Sequence, residues 1–270
     1  MAAIPFISRQ AAPETLERAA AFGLRPSESA AGGVADGRNL PRGSLYLLAD
    51  ECGIALAKAG EKGVVRVDFT GGAAQYRRTK GGGELIAKAV NHAAKPLVWD
   101  ATGGLGRDSF VLAAQGLQVC TFERHPIVAL LLSDGLARAV ESEDAETAEI
   151  ARRITLVQGN AAEMMADFAV RNGRPDVVYL DPMYPVRQKS AAVKKEMAYF
   201  HDLVGEAAAE DDAALLVAAK AAAKKRVVVK RPRLGEWLAN EEPAYQYGGK
   251  SIRFDVYLPD FPVSAGVQTA

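Results

Sequence analysis

The chain reads as an α/β protein: a doubly wound, mostly parallel sheet with a small strand-rich region on its N-terminal side. Three observations predict this. From Lys95 onward, short runs rich in Val, Leu and Ile alternate with longer stretches of helical spacing. Those short runs are apolar throughout rather than alternating, as strands covered on both faces should be. Finally, Gly103, Gly104 and Gly106 stand between the first run and the helix after it, where such folds bring backbone close to a ligand.

Taken in order, residues 1–92 hold most of the glycine-rich, irregular sequence: 30–43, Gly71-Gly72 and Gly81-Gly82-Gly83. Between these lie strand-like runs at Ser44 to Ala49 and Val64 to Phe69, bounded by Gly and Pro. Glu84 to His92 is apolar at helical spacing and leads into the second region, residues 93–262. There the spacing predicts strands at Pro96 to Asp100, Leu117 to Phe122, Ile154 to Gln158, Asp176 to Leu180 and Arg226 to Lys230. Helices are predicted at Arg107 to Gln115, Pro126 to Val140, Ala161 to Asn172 and around Asp211 to Lys225. Residues 263–270 read as a frayed tail.

Composition narrows the class. The two cysteines, Cys52 and Cys120, lack metal-site spacing and are too few for a disulfide framework, which fits a reducing, cytoplasmic setting. No secretory signal or membrane-length apolar run is read from the sequence, and no membrane partner is expected. His92, His125 and His201 have no carboxylate or cysteine at ligand spacing, so no metal is expected. Trp99 and Trp237 are expected to pack rather than to stack on a ligand. Lys plus Arg equals Asp plus Glu at 33 each, so a polyanion would have to be held by local patches.

The turn after the first strand of the second region is Asp100-Ala101-Thr102-Gly103-Gly104-Leu105-Gly106. Glycines here admit a ligand against the backbone, and the next helix offers unpaired N–H groups. Glu123 ends the second strand at about the 20-residue spacing from which an acid accepts ribose hydroxyls. The dinucleotide fingerprint is absent, because Gly106 is followed by Arg107, Asp108 and Ser109. Asp100 would repel a pyrophosphate. It favours a ligand with a positive group, and S-adenosylmethionine qualifies.

The fourth strand runs into Asp181-Pro182-Met183-Tyr184-Pro185. An Asp carboxylate and a following carbonyl can together accept both hydrogens of an exocyclic amine. Pro182 and Pro185 stiffen the turn, and Tyr184 offers a face on which a swung-out base stacks. Asp181, Pro182 and Tyr184 are therefore the candidate catalytic residues. Rate would come from positioning and electrostatics, with no covalent nucleophile.

Asp-x-Thr-Gly-Gly-Leu-Gly with Asp-Pro-Met-Tyr resembles the class I, Rossmann-like methyltransferases that alkylate base amines. Longer strings resemble the ribosomal RNA small subunit methyltransferase J family: 101–107, Phe122-Glu123-Arg124, 134–138, 179–185, 189–197, 225–232 and Arg253-Phe254-Asp255. So do Val67-Asp68-Phe69, Gly71-Gly72 and Gly81-Gly82-Gly83, and the likeness covers roughly residues 64–258. It implies transfer of a methyl group from S-adenosylmethionine to a guanine N2 in small-subunit (16S) ribosomal RNA. It also implies cofactor contacts at Arg107, Asp108, Glu123, Arg124, Asn160, Ala161 and Asp181, beside Asp100, Gly103, Gly104 and Gly106. The family pattern favours hydroxyl residues where Asn160 and Ala161 stand.

Three basic groups are expected to seat the RNA backbone at the mouth of the site: Arg77, Arg78 and Lys80; Lys189, Lys194 and Lys195; and Lys224, Lys225, Arg226, Lys230, Arg231 and Arg233. The substrate is small-subunit RNA, free or within the 30S particle, and the enzyme is expected to be a monomer. Two other readings use the same residues. An amine methyltransferase of DNA adenine or protein glutamine keeps the fold and changes the target. A non-catalytic RNA-binding assembly factor would have no use for an intact Asp181 to Tyr184.

Overall fold

The computed structural model describes residues 4–27, 37–70, 83–182, 198–200, 202–204 and 209–260. Two sheets organise them. A three-stranded sheet has β1 (Phe6–Ser8) parallel to β2 (Leu45–Asp50), and β2 antiparallel to β3 (Gly53–Lys58). A seven-stranded sheet runs in the order β6-β5-β4-β7-β8-β10-β9. Its parallel strands are β4 (Val98–Asp100), β5 (Val119–Glu123), β6 (Ile154–Gln158), β7 (Val177–Leu180) and β8 (Arg226–Pro232). An antiparallel hairpin, β9 (Tyr245–Gly248) and β10 (Ile252–Tyr257), completes it on β8.

Helices cover both faces, which is why β4 and β7 are buried at every position. On one face Phe110 and Leu112 of α3 (Arg107–Ala114) and Leu130 of α4 (Pro126–Val140) meet Val98, Tyr179, Val228 and Phe254. On the other, Met165 of α6 (Ala161–Asn172) and Leu216 and Ala219 of α7 (Ala209–Ala222) pack on Trp99, Phe122, Val178 and Val229. Further α-helices are α1 (Pro13–Ala21), α2 (Gly83–Val90) and α5 (Ala145–Arg152).

The smaller sheet shares the first of these cores through Leu47, Ile54, Leu56, Val65 and Val67. Its polar anchor is Asp134 of α4, fully buried: its carboxylate accepts from the Ile54 amide at 3.0 Å, Arg138 Nε at 2.9 Å and Arg18 at 3.3 Å. The strand expected at Val64 to Phe69 is not one. Val65 makes a single bridge to Leu56, and Val65, Val67 and Phe69 turn inward without a ladder. Side-chain alternation survives there, while among the described residues its strand-like pairing is confined to Val65 and Leu56. Among the described residues, no helix is long and apolar enough to cross a membrane.

Strand order places the chemistry. From β4 the chain winds outward through β5 and β6, then returns to add β7 and β8 on the other side of β4. The order therefore reverses between β4 and β7, and ligands bind at the carboxyl ends of strands at such a point. The glycine turn follows β4 and Asp181 follows β7. The two sequence-distant segments end at one rim.

Candidate active site

Backbone bonds shape the glycine turn. The Ala101 amide donates to the Tyr179 carbonyl, Gly103 to the Phe122 carbonyl at 2.8 Å, and Gly106 to the Gly103 carbonyl. Gly106 has φ +73° as it caps α3, a conformation that a side chain would strain. Gly103 is needed for a different reason: a Cβ there would stand 2.5 Å from Thr121 Cγ2 and 3.0 Å from the Phe122 carbonyl oxygen. The turn lies flat against β5 because nothing projects from it.

Carboxylates hold this turn from both sides. Glu123 accepts from the Gly104 amide at 2.8 Å and from the His125 amide at 2.7 Å. It remains partly exposed at the strand end. Burial raises its pKa, opposed by those backbone donors. Asp100 is 1% exposed. It accepts from the Thr102 amide at 3.1 Å and from Ser109 Oγ at 2.5 Å, and Ser109 in turn meets Thr121 Oγ1 at 2.8 Å. Burial pushes Asp100 up to about 7, against the pull of its Ser109 and Thr102 hydrogen bonds. Its bonds run inward, so Asp100 supports the turn from behind.

Asp181 is tied directly to the same turn. Its amide donates to Thr102 Oγ1 at 2.6 Å, and the Thr102 hydroxyl lies 3.4 Å from Asp100 Oδ1. Pro182 is buried beside it. The register that pairs Leu180 with Val229 sets Lys230 next to Asp181. Lys230 Nζ donates to Asp181 Oδ2 at 2.8 Å and to Asp108 Oδ2 at 2.7 Å. The Tyr179 hydroxyl donates to that Asp108 oxygen at 2.7 Å. Burial raises Asp181 to about 6, against the attraction of Lys230 and helped by the nearby Asp108 charge. Asp108 goes the other way: burial would raise it, but Lys230 and the Tyr179 hydrogen bond hold it below the usual carboxylate range.

The other expected cofactor residues sit around the rim with varied surroundings. Arg107 is exposed at the start of α3. Arg124 pairs with Asp211 at 2.9 Å. Asn160 caps α6, its Oδ1 accepting from the Ala162 amide at 3.1 Å and its Nδ2 donating to Glu163 at 2.8 Å. Ala161 is buried as the first residue of that helix. His125 stands at the start of α4, a helix-end position as expected. Tyr184, Arg77, Arg78, Lys80, Lys189, Lys194, Lys195, His201 and residues 263–270 lie outside the described residues.

Two expectations need correcting. The cations around β8 do not share one surface. Lys224 and Lys225 lie just before its first residue, Arg226, a strand length of roughly 20 Å from the rim, where Lys225 pairs with Asp176 and Arg226 donates to the Ala89 carbonyl. Lys230 is held between carboxylates. Arg231 is 5% exposed because strand alternation turns it inward, where its Nε donates to the Glu236 carbonyl. Arg233 alone of this group is exposed at the rim end. Trp237, expected to pack, is 39% exposed, whereas Trp99 is buried. Residues that the sequence reading passed over include Thr102, Ser109 and Tyr179. Tyr179 carried a signal, since it lies two residues before Asp181 and so on the same face of β7.

S-adenosylmethionine fits these residues. Gly103 lets the turn lie against β5, a Cβ on Gly104 would meet only the Thr102 carbonyl oxygen at 3.9 Å and so leaves open space beside the backbone, and Glu123 presents a carboxylate at the end of the neighbouring strand. A reversal of strand order roofed by this turn, with an acid-proline segment across from it, defines a class I S-adenosylmethionine-dependent methyltransferase. Comparison narrows the class. Residues 38–259 match the family model described as "Putative SAM-dependent methyltransferase". Ribosomal RNA small subunit methyltransferase J of Neisseria gonorrhoeae is 66% identical over 219 residues, 81% of this chain and 86% of the relative. Its counterpart in Cellvibrio japonicus is 48% identical over 227 residues, 79% and 84% of the two chains. The crystal structure of a SAM-dependent methyltransferase from Neisseria gonorrhoeae superposes with a TM-score of 0.78 at 53% identity, over 98% of this chain and all of the other. The chain belongs to the ribosomal RNA small subunit methyltransferase J family.

Proposed function

We propose that this methyltransferase acts on the exocyclic N2 of a guanine in small-subunit ribosomal RNA, in the cytoplasm and as a monomer, with Asp181 as the acceptor for the target amine. The observation that carries the reading is the bond from the Asp181 amide to Thr102, which fixes the Asp181 carboxylate beside the glycine turn. Two relatives named as ribosomal RNA methyltransferases support the choice of target.

Gly103, Gly104 and Gly106 would hold the cofactor against the backbone, Glu123 its ribose hydroxyls, and Arg107, Asp108, Arg124 and Ala161 the remainder, while Asp100 fixes the turn and Asn160, expected from the sequence as a contact, the start of α6. When bound, S-adenosylmethionine supplies a methyl group on a sulfonium that leaves neutral. The target nitrogen is a weak nucleophile because its lone pair is delocalised into the ring. Asp181 and the Pro182 carbonyl accept its two hydrogens and draw it toward tetrahedral geometry. As the N–C bond forms, positive charge grows on the nitrogen beside the Asp181 carboxylate, which stabilises it. One N–H proton passes to that carboxylate and then to water. Tyr184 supplies a stacking face for the base. Arg77, Arg78, Lys80, Lys189, Lys194 and Lys195 seat the phosphate backbone, whether the RNA is free or within the 30S particle.

Methyl-labelled cofactor offered with small-subunit RNA, 30S particles, DNA and protein tests the target. Label is expected in the RNA, recovered as N2-methylguanosine after nuclease digestion; label only in DNA or protein overturns the assignment. Asp181→Ala should lower kcat about a thousandfold, the scale of losing one preorganised electrostatic group. Its cofactor affinity should change little by calorimetry. Near-normal turnover in that variant ends the acceptor role.

A further inference from the structure

A lysine that grips RNA phosphate should stand in solvent, and Lys230 does not. Its ammonium lies between two carboxylates of different elements, at 2.7 Å from Asp108 of α3 and 2.8 Å from Asp181 after β7, with the side chain one quarter exposed. Two of its three hydrogens are committed. The two carboxylates differ in what else they receive. Asp108 Oδ2 also accepts from the Tyr179 hydroxyl, so one of its oxygens already has two donors. The Asp181 oxygen that meets Lys230 depends on that lysine for its cation. Around the pair, the charged and titratable groups among the described residues are Asp100 and Tyr179 from the strands, Asp108 from the helix and Lys230 itself. Lys230 is the single cation in that set.

We propose that Lys230 is a positioning residue for methyl transfer: held between Asp108 and Asp181, it keeps the Asp181 carboxylate ionised and fixed in place as acceptor for the target amine. This rests on the reading of Asp181 given above. Without the ammonium, two like charges would crowd one partly buried space, and the one with fewer donors would take up a proton. A protonated Asp181 can accept less and cannot take the amine proton. Lys230 is not itself the base, because its flanking carboxylates hold it protonated against the pull of burial.

The test uses the full chain and two substitutions that push in opposite directions. Burial pushes Asp181 up to about 6, so activity should fall as pH drops through that region. Lys230→Met should move this acid limb upward by about 1–3 pH units, the usual effect of a close opposite charge. Activity at pH 7 should fall about twofold for a shift of one unit and about a hundredfold for three, and recover by half or more at pH 9. Asp108→Asn should move the limb downward, and Lys230→Arg should restore the wild-type profile with a lower plateau. Carboxyl carbon NMR of the protein alone, with the Asp181 resonance assigned by its loss in Asp181→Asn, should show the same two shifts without any turnover.

Equal loss at every pH in Lys230→Met, with an unmoved Asp181 titration, would show a merely structural lysine and overturn the proposal. So would an unchanged kcat with a raised KM for RNA and a shallower salt dependence, the mark of a phosphate contact. A fully active Asp181→Ala would instead remove the parent reading, so the two failures are separable.

Discussion

The turn after β4 and the cluster at the ends of β7 and β8 meet at one rim, yet they are held together by different forces. Neighbours build the turn: Gly103, Gly104, Glu123 and Phe122 are joined mainly by backbone amides across adjacent strands. Charges build the cluster, and they come from α3, β7 and β8, with Asp108 and Lys230 lying 122 residues apart. A wall made mainly of backbone bonds is sensitive first to volume, and pH reaches it only through the Asp100 and Glu123 carboxylates that brace it. The charged wall has the reverse sensitivities, because each member's ionisation depends on the others. On this account cofactor binding and acceptance of the target amine should fail under different substitutions.

The largest effect expected on cofactor binding tests the backbone-built wall. In Gly103→Val even the first added carbon falls 2.5 Å from Thr121 Cγ2 and 3.0 Å from the Phe122 carbonyl oxygen. The oxygen belongs to the strand itself and cannot swing aside. The turn must lift from β5, and cofactor affinity should fall about a hundredfold, ~2.7 kcal/mol. The Asp181 titration should hardly move. Calorimetry with S-adenosylmethionine and the carboxyl titration together decide it; a variant that binds normally would show that the turn does not form the cofactor floor.

A smaller effect is expected at Glu123. Its carboxylate accepts from the Gly104 and His125 amides and also presents lone pairs at the open strand end. Glu123→Gln keeps one acceptor oxygen and removes the charge. Cofactor Kd should rise about tenfold, ~1.4 kcal/mol, while kcat at saturating cofactor stays near the wild-type value. A fall in kcat without a change in Kd would place Glu123 with the target side and blur the division between the walls.

The same division explains what could be read from the sequence. The five parallel strands were legible because each holds an apolar run, Val227 to Val229 in β8 for example, with its charged residues at the strand ends. The bounds of α4 and α6 were legible because Pro126 and Asn160 mark their starts. β10 was hidden, since Arg253 and Asp255 occupy buried positions and satisfy each other at 2.8 Å, so a core strand looks charged. β3 was hidden by Ala55 and Ala57, which give a strand no β-branched signature. α5 was hidden inside an acidic run, although Thr147 donating to Asp144 pins its first turn. Within the site, the glycine turn and Glu123 were legible because their spacing is local. Lys230 was read as an RNA contact because its partners are set by the β7–β8 register, which no short motif encodes.

The smallest expected effect concerns Asn160, where two roles compete for one side chain. Its Oδ1 already accepts from the Ala162 amide and its Nδ2 is engaged by Glu163, so capping uses both polar atoms. Asn160→Ala should cost about 1 kcal/mol of stability, the usual worth of an N-cap, seen as a lower midpoint in denaturant with an unchanged slope. Cofactor Kd should rise less than threefold, because the residue would act by holding the start of α6 in place. Asn160→Asp, which caps equally well, should restore stability and leave cofactor affinity within that range. A tenfold loss of affinity in the alanine variant, not matched by the stability change, would instead make Asn160 a direct ligand. The cofactor wall would then owe part of its grip to a side chain rather than to backbone alone.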